Sequence, residues 1–394
     1  MKKLISVVFL FFVTVISAQE IKHLNLEDAV LGYYKGLYPE QKSLQWIDGT
    51  DEFIVTENNV VFVNYNLEKR PVLFNFDDLK KSFPALKAMP NLFEKITSEE
   101  ITFDHKNAIV HYNYTKKKIS GEIKYPSDAE NKEYNTPANA VAYTLGNNLY
   151  VASESNSKIA VTSIKNKDIV SGQAIARSEM GIRKGTFWSP KGNYLAFYQK
   201  DESNVTNYPL VDITQIPAVL NNIKYPMNGM ESEIAKVGVF SIKHQSVIYL
   251  DIDTSDEHYL TNLSWSPDEK FIFLAEVNRD QNHMWFNIYD ATNGKKIKTL
   301  FEERNNKWVE PEHAAVFLPN SNSEFLWLSE RDGFMNLYKY DINSSNVSPL
   351  TNFSWVIKAI VGFDEGGKNV IILGTGNDGR ETRAYKINLK NGKF

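Results

Sequence analysis

Two stretches with the same order of residue types decide the fold. Residues 187–192 read FWSPKG before the apolar run YLAFY at 194–198, and residues 264–268 read SWSPD before FIFL at 271–274. Serine and proline favour turns, while bulky apolar and aromatic residues favour strands. Each stretch therefore predicts two antiparallel strands joined by a tight turn, and the recurrence indicates a repeated β unit.

Weaker copies of this unit lie on both sides. The central aromatic residues of seven copies are Trp46, Phe103, Tyr143, Trp188, Trp265, Phe317 and Phe363, with gaps of 57, 40, 45, 77, 52 and 46 residues between consecutive numbers. Four antiparallel strands need about 40 to 50 residues, so most gaps fit one propeller blade. The sequence predicts an all-β fold, a β-propeller of seven to eight four-stranded blades over residues 44–394. The alternative, a β-sandwich, does not require seven similar openings.

The longest gap requires an insertion within the propeller. Residues 203–231 contain Pro209, Pro217 and Pro226, which interrupt the strand pattern without adding the alternation of a blade. This segment is either a projecting arm or a long loop. The turn-like residues 390–393 stand at the end of the sequence, and a closed ring needs a further strand there. We therefore expect the propeller to be incomplete at its C-terminus.

The N-terminus has the pattern of a cleaved signal peptide over residues 1–18. Two lysines precede an apolar run, and Ser17-Ala18 supply small residues for cleavage. A retained anchor helix is the alternative, but the run is short for a membrane span. Residues 19–43 form an N-terminal segment in which Asn25 can cap a short helix reaching about Tyr34.

Composition excludes several classes of function. The chain has 44 basic and 48 acidic residues, a formal charge of −4, and no cysteine. The charge balance argues against nucleic-acid binding, because such proteins usually carry a basic face. The lack of cysteine excludes disulfides, thiolate metal sites and cysteine nucleophiles.

Motifs for catalysis are also absent from the sequence. No Gly-x-Ser-x-Gly nucleophile elbow occurs, and the histidines and acids show no metal-ligand spacing. We therefore expect no catalytic residue, metal or other cofactor in this chain.

One long segment resembles a known family. Residues 178–192 read SEMGIRKGTFWSPKG, and together with 195–203 they resemble the propeller domain of the dipeptidyl-peptidase IV family. Further similar segments lie at 24–28, 208–212, 225–227 and 329–333. The resemblance implies an eight-bladed propeller that caps a C-terminal α/β-hydrolase domain, absent from this chain, and an exported serine exopeptidase acting after proline.

The resemblance also implies site residues. Acidic side chains of this loop bind the free α-ammonium of the substrate in the family, which points to Glu179 here. Arg177 is a second candidate, for orienting the glutamate or a substrate carbonyl. Family members often carry two adjacent glutamates, whereas residues 177–180 read RSEM with one, so release of a dipeptide and of a tripeptide both remain open.

Two functions follow as expectations. In the first, the chain is the N-terminal propeller of a post-proline serine exopeptidase in the periplasm, at the cell surface or outside the cell. It gates the access of peptides with proline near their N-terminus, and is inactive alone because the Ser–Asp–His domain is missing. By the same resemblance, residues 203–231 would pair two subunits, and no membrane contact is expected after cleavage of the signal. In the second, it is a stand-alone secreted propeller that binds peptide, glycan or protein without catalysis.

Overall fold

The computed structural model describes residues 23, 25–37, 43–63, 71–344 and 347–394, so the predicted signal peptide, residues 1–18, lies outside it. Helix α1 spans Leu26–Leu31, and the Asn25 side chain caps it by accepting a hydrogen bond from the backbone N–H of Asp28 at 2.7 Å. The short N-terminal helix is thus confirmed, although it ends at Leu31. No helix in the described ranges has the length and apolar character needed to cross a membrane.

The described strands form seven small antiparallel sheets that follow one another along the chain as propeller blades, and one separate two-stranded hairpin. Blade 1 contains β1 (Leu44–Trp46), β2 (Phe53–Glu57), β3 (Val60–Val63) and β4 (Val72–Asn75). Blade 2 contains β5 (Lys95–Ile96), β6 (Glu100–His105), β7 (Ala108–Asn113) and β8 (Lys118–Lys124). Blade 3 contains β9 (Glu130–Asn135), β10 (Ala140–Leu145), β11 (Asn148–Ala152) and β12 (Ile159–Ala160).

Blade 4 is the irregular one. It contains β13 (Ile169–Ser171), β14 (Thr186–Trp188), β15 (Tyr194–Asp201), β18 (Ile234–Ser241) and β19 (Ser246–Tyr249). Both β13 and β14 pair with β15, so its first strand is split in two. Between β15 and β18, strands β16 (Asn207–Asp212) and β17 (Val219–Lys224) form a separate hairpin, called the arm below.

The last three blades complete the order. Blade 5 contains β20 (His258–Trp265), β21 (Phe271–Asn278), β22 (His283–Asp290) and β23 (Lys296–Arg304). Blade 6 contains β24 (Val316–Phe317), β25 (Glu324–Ser329), β26 (Asn336–Asp341) and β27 (Val347–Pro349). Blade 7 contains β28 (Ile357–Phe363), β29 (Asn369–Gly374) and β30 (Arg383–Asn388).

The predicted all-β propeller is therefore confirmed, with seven blades in the described residues. Two details differ from the sequence pattern. In blades 2 and 3 the aromatic openings Phe103 and Tyr143 lie on the second strand, because polar or very short strands precede them. A second helix, α2 (Phe76–Ser82), also joins blades 1 and 2; it is short and left no visible periodicity.

In the described residues, six clusters of buried side chains hold the blades together, and each consists mainly of residues from two consecutive blades. Strand β21 shows the arrangement. Ile272 and Leu274 pack toward blade 4, while Phe273 and Ala275 pack toward blade 6, and all four are fully buried. Because successive side chains of a strand point to opposite faces, a central strand buried on both faces is apolar throughout.

Candidate functional site

Glu179 lies where blade 4 leaves its regular sheet. The chain between β13 and β14 forms a loop, and residues 175–182 of it are called the Glu179 loop. The backbone on both sides of Glu179 is left-handed, with φ values of 50° at Arg177, 69° at Ser178 and 53° at Met180. Left-handed backbone is unfavourable for residues with a Cβ atom, so surrounding contacts must hold this conformation in place.

Contacts from three blades supply that support. The carboxylate of Glu233 accepts a hydrogen bond from the backbone N–H of Ala176 at 2.7 Å. On the other side of the loop, the Thr261 hydroxyl donates to the Met180 carbonyl at 2.7 Å. The Met180 side chain is buried in the cluster shared by blades 5 and 6. The loop of blade 4 is thus fastened to its own blade and to both following blades.

The loop also packs directly against backbone. A Cβ atom added to Gly181, whose φ is +74°, would lie 2.3 Å from the Glu312 carbonyl oxygen. Only glycine fits both this conformation and this close approach. The segment around Glu312 therefore limits how far the loop can move.

The Glu179 carboxylate points into a cavity of about 230 Å³ at the base of the arm. The Gln281 side-chain amide donates to Oε2 of Glu179 at 3.3 Å. Among the described residues, no ion pair involves Glu179 and no hydrogen bond reaches its Oε1. The side chain is exposed. One carboxylate oxygen is therefore free to accept a hydrogen bond from a ligand.

The other charges that line the cavity are already engaged. Arg279 donates to Glu257 at 3.1 Å and to the Tyr259 hydroxyl oxygen at 2.6 Å. The same hydroxyl oxygen accepts from the Gln281 amide at 3.1 Å, which connects this pair to Glu179. Since Arg279 has its own carboxylate partner, it does not neutralise Glu179. Among the described residues, Glu179 thus places in this cavity a carboxylate that no ion pair engages, and such a group suits a cationic ligand.

Arg177 lines the same cavity but is turned toward the arm. Its guanidinium donates to the Lys224 carbonyl and lies 4.8 Å from the centroid of the Tyr225 ring. These contacts link the Glu179 loop to the base of β17. The structure therefore brings both sequence candidates to one cavity, with only Glu179 directing a free acceptor into it.

Three neighbours of Glu179 were not identified from the sequence: Glu233, Tyr259 and Gln281. Gln281 lies 102 positions away along the chain, and no local motif marks any of the three. Their placement depends on how blades 4 and 5 pack, which a strand pattern does not encode. No group of three or more histidine or acidic side chains in the described residues could hold a metal ion.

Solved structures with this fold are known. A Bacteroides ovatus protein provisionally described as a dipeptidyl aminopeptidase IV is 36% identical, with a TM-score of 0.81 over 89% of this chain and 52% of its own. Dipeptidyl peptidase 4 of Porphyromonas gingivalis has a TM-score of 0.72 at 17% identity and covers 94% of this chain and 55% of its own. The second likeness concerns the fold alone.

Sequence comparison agrees with the structural one. Pig dipeptidyl peptidase 4 is 22% identical over 354 residues, which cover 81% of this chain and 46% of that protein. Yeast dipeptidyl aminopeptidase B is 24% identical over 273 residues, which cover 64% of this chain and 33% of that protein. The chain thus spans half or less of the length of these curated relatives.

A family model of the dipeptidyl peptidase IV N-terminal region matches residues 90–394, well over half of the sequence. That range includes blades 2 to 7, the arm and the Glu179 loop. The resemblance expected from the sequence is confirmed: the chain belongs to the dipeptidyl peptidase IV N-terminal region family.

Proposed function

We propose that this chain is the propeller part of an exported post-proline serine exopeptidase, in which it gates access and binds the N-terminus of the peptide substrate. The observation that carries the proposal is the Glu179 carboxylate, which has a free oxygen and no cationic partner among the described residues that surround its cavity. A peptide α-ammonium is the group that such a carboxylate selects.

The selection has a physical basis. An ammonium–carboxylate hydrogen bond is about twice as strong as a neutral one, and an internal peptide bond offers no charge in its place. Binding only free N-termini fixes the position of the substrate relative to a catalytic serine. The distance from Glu179 to that serine then determines whether a dipeptide or a tripeptide leaves.

The catalytic part of the proposal rests on the relatives. They are named dipeptidyl peptidases and dipeptidyl aminopeptidases, and the curated ones are at least twice as long as the segment they share with this chain. In the proposal, a C-terminal α/β-hydrolase domain supplies the Ser–Asp–His residues, with no metal or organic cofactor. Residues 1–18 direct export to the periplasm, cell surface or medium.

Arg177 has an orienting role in this proposal. Its bond to the Lys224 carbonyl and its position over Tyr225 fix one side of the Glu179 loop to the arm. Arginine suits this position because its planar guanidinium can donate to a carbonyl and stack on a ring at once. In this proposal Glu179 binds the ligand, and Arg177 restricts the position of the loop that contains Glu179.

The arm is the proposed pairing surface of a homodimer. Four of its apolar side chains are largely exposed: Val211 at 63%, Ile213 at 81%, Ile216 at 99% and Leu220 at 59%. Apolar side chains clustered on a projecting hairpin are typical of an interaction site. Sedimentation of wild type and of the Ile213→Asp/Ile216→Asp variant tests this: the wild type should dimerise and the variant should not, and a monomeric wild type would contradict the pairing.

The experiment for Glu179 measures peptide binding by calorimetry. The peptides carry proline near the N-terminus and have either a free or an acetylated amine. We expect the full chain to prefer the free amine by about ten-fold or more, and Glu179→Gln to remove most of that preference. Glu231→Gln, an exposed carboxylate beside the cavity that does not line it, is the matched control and should behave as wild type.

Equal binding of both peptides by the wild type would sink the amine-binding role. Strong binding of acetylated peptide or glycan alone would favour the stand-alone binding propeller. For the catalytic part, the longer protein carrying the hydrolase domain should release dipeptides or tripeptides after proline, and inertness on such peptides would contradict it.

A further inference from the structure

Glu233 is a buried carboxylate at the base of the arm. It directly precedes β18, and its side chain is only 9% exposed. One of its oxygens accepts the Ala176 backbone N–H at 2.7 Å, and the other lies 3.8 Å from the Lys200 ammonium. One oxygen is thus hydrogen-bonded to the loop, and the other forms an ion pair with Lys200.

The amide that Glu233 binds begins a run of unfavourable backbone. Ala176 has a φ of 51°, and Arg177 and Ser178 follow in the same left-handed region. Each such residue costs about 1 to 2 kcal/mol, and none of the three is glycine. A conformation of this kind persists only where contacts over-determine it. The charge-assisted bond at Ala176 acts at the first of these residues.

The charge of Glu233 is compensated by Lys200. Lys200 lies between two glutamates, with its ammonium 2.8 Å from Glu202 and 3.8 Å from Glu233. Buried charges require such pairing, since an isolated carboxylate would lose its hydration and gain no ion pair in exchange. Glu202 is similarly buried, but among the described residues it makes no hydrogen bond or ion pair with residues 175–182. The hydrogen bond to Ala176 is therefore a contact with the loop that Glu233 makes and Glu202 does not.

We propose that Glu233 is a positioning residue that holds the Glu179 loop in its left-handed conformation and thereby fixes where the Glu179 carboxylate stands. The functional half of this statement rests on the proposed function, in which Glu179 binds the peptide amine. The role proposed for Glu233 is to hold the loop, not to bind the peptide. It acts from the position before β18 on the amide of Ala176, whereas Thr261 contacts the carbonyl of Met180.

The test uses three variants of the full chain. Glu233→Ala removes the acceptor and the charge, Glu233→Gln keeps an oxygen acceptor for the Ala176 amide, and Glu202→Ala removes the other partner of Lys200. Urea unfolding of each variant shows that it folds. If Glu233→Ala does not fold, Glu233→Gln carries the test.

The first readout is the loop itself, independent of any ligand. Hydrogen exchange of residues 175–182 and trypsin cleavage after Arg177 report its opening. We expect exchange about ten-fold faster or more in Glu233→Ala, a smaller increase in Glu233→Gln, and wild-type rates in Glu202→Ala. Unchanged exchange in Glu233→Ala, or equal acceleration in Glu202→Ala, would overturn the proposal.

The second readout is the preference for free over acetylated peptide. Glu233→Ala should lose most of this preference while Glu202→Ala keeps it, and Glu233→Gln should recover part of it. If the loop opens but the preference stays at its wild-type value, Glu233 does not position Glu179. If the wild type shows no preference at all, the amine-binding role fails, and the exchange data alone decide whether Glu233 holds the loop.

Discussion

Blades 5 and 7 contain the same kind of central strand in different surroundings. In blade 5, Ile272 and Phe273 are adjacent, point to opposite faces, and are both fully buried. In blade 7, Ile372 is fully buried against blade 6, whereas its neighbour Ile371 is half-buried. Among the described residues, none of the six core clusters joins blade 7 to blade 1. In that part of the chain an interior blade packs against two neighbouring blades, and blade 7 packs against one.

The difference shows what the repeated unit encodes. Each blade carries apolar residues on both faces, so the sequence of a blade alone does not reveal how many neighbours cover it. The energetic weight of a residue depends on the adjoining blade, as in other repeat proteins where stability is a sum over neighbouring interfaces.

The largest expected difference in stability lies within one strand of blade 7. Ile372→Ala should lower the free energy of unfolding by about 2 to 5 kcal/mol, because it opens a cavity in a closed cluster. Ile371→Ala should cost about 1 kcal/mol or less, because its face is only partly covered. Urea unfolding of the full chain measures both. Equal losses would show that both faces of β29 are packed.

Two glycines give the next largest contrast. A Cβ atom at Gly185 in blade 4 would lie 2.3 Å from backbone atoms of Gln173, whereas one at Gly362 in blade 7 would meet nothing within 4 Å. Gly185→Ala should destabilise by about 1 to 3 kcal/mol through overpacking. Gly362→Ala should be neutral or stabilise by up to about 1 kcal/mol, because it restricts the unfolded chain.

The same urea series serves as the measurement for this pair. A Gly362→Ala variant that loses as much stability as Gly185→Ala would contradict the open surroundings of blade 7. A neutral Gly185→Ala would show that the backbone at Gln173 yields.

The pH dependence of stability gives the smallest expected effect. It distinguishes the seam between blades 2 and 3 from blade 7, because the two lose stability in different pH ranges. Burial at the seam of blades 2 and 3 lowers the pKa of His111 from 6.5, although Glu100 and Glu154 oppose the shift. The unfolded chain therefore takes up the proton first, and this stability is lost as pH falls below about 6.5. In blade 7, hydrogen bonds from Asn369 hold the pKa of Asp364 well below its usual 3.8, so its contribution is lost only in stronger acid.

Unfolding free energies at pH 7.5, 6 and 5 test the first of these windows. Between pH 7.5 and 5, the free energy of unfolding of His111→Gln should change less with pH than that of the wild type. Asp364→Asn, the control from blade 7, should leave that window unchanged. An unaltered slope in His111→Gln would show that other groups cause it.

The sequence predicted those parts of the fold that depend on local chemistry. The hydroxyls of Ser189 and Ser266 each accept a backbone N–H five residues ahead, from Tyr194 and Phe271, so the Trp-Ser-Pro turns form by short-range bonds. The first strand of blade 3 escaped notice because its sequence, ENKEYN, is polar. Helix α2 escaped notice because it is only seven residues long.

In the candidate site, too, the sequence identified the residues of one local segment and missed those that come from distant parts of the chain. Glu179 and Arg177 belong to a segment whose similarity to the family is visible in one stretch of sequence. Glu233 lies 57 positions from the amide it binds, and Gln281 comes from another blade. Side chains that meet only through blade packing leave no pattern along the chain, so three-dimensional structure is required to find them.

The burial of Met180 has a consequence for ligand binding as a whole. Met180 follows Glu179 directly and anchors blade 4's loop in the seam between blades 5 and 6. If a peptide binds Glu179, it binds a loop of blade 4 that is packed against blades 5 and 6. Peptide binding is then coupled to the packing of these three blades. By mass action, a ligand at a hundred times its Kd adds about 2.7 kcal/mol to the stability of the state that binds it. The stability of the packing between blades 4, 5 and 6 would then rise with the concentration of free peptide.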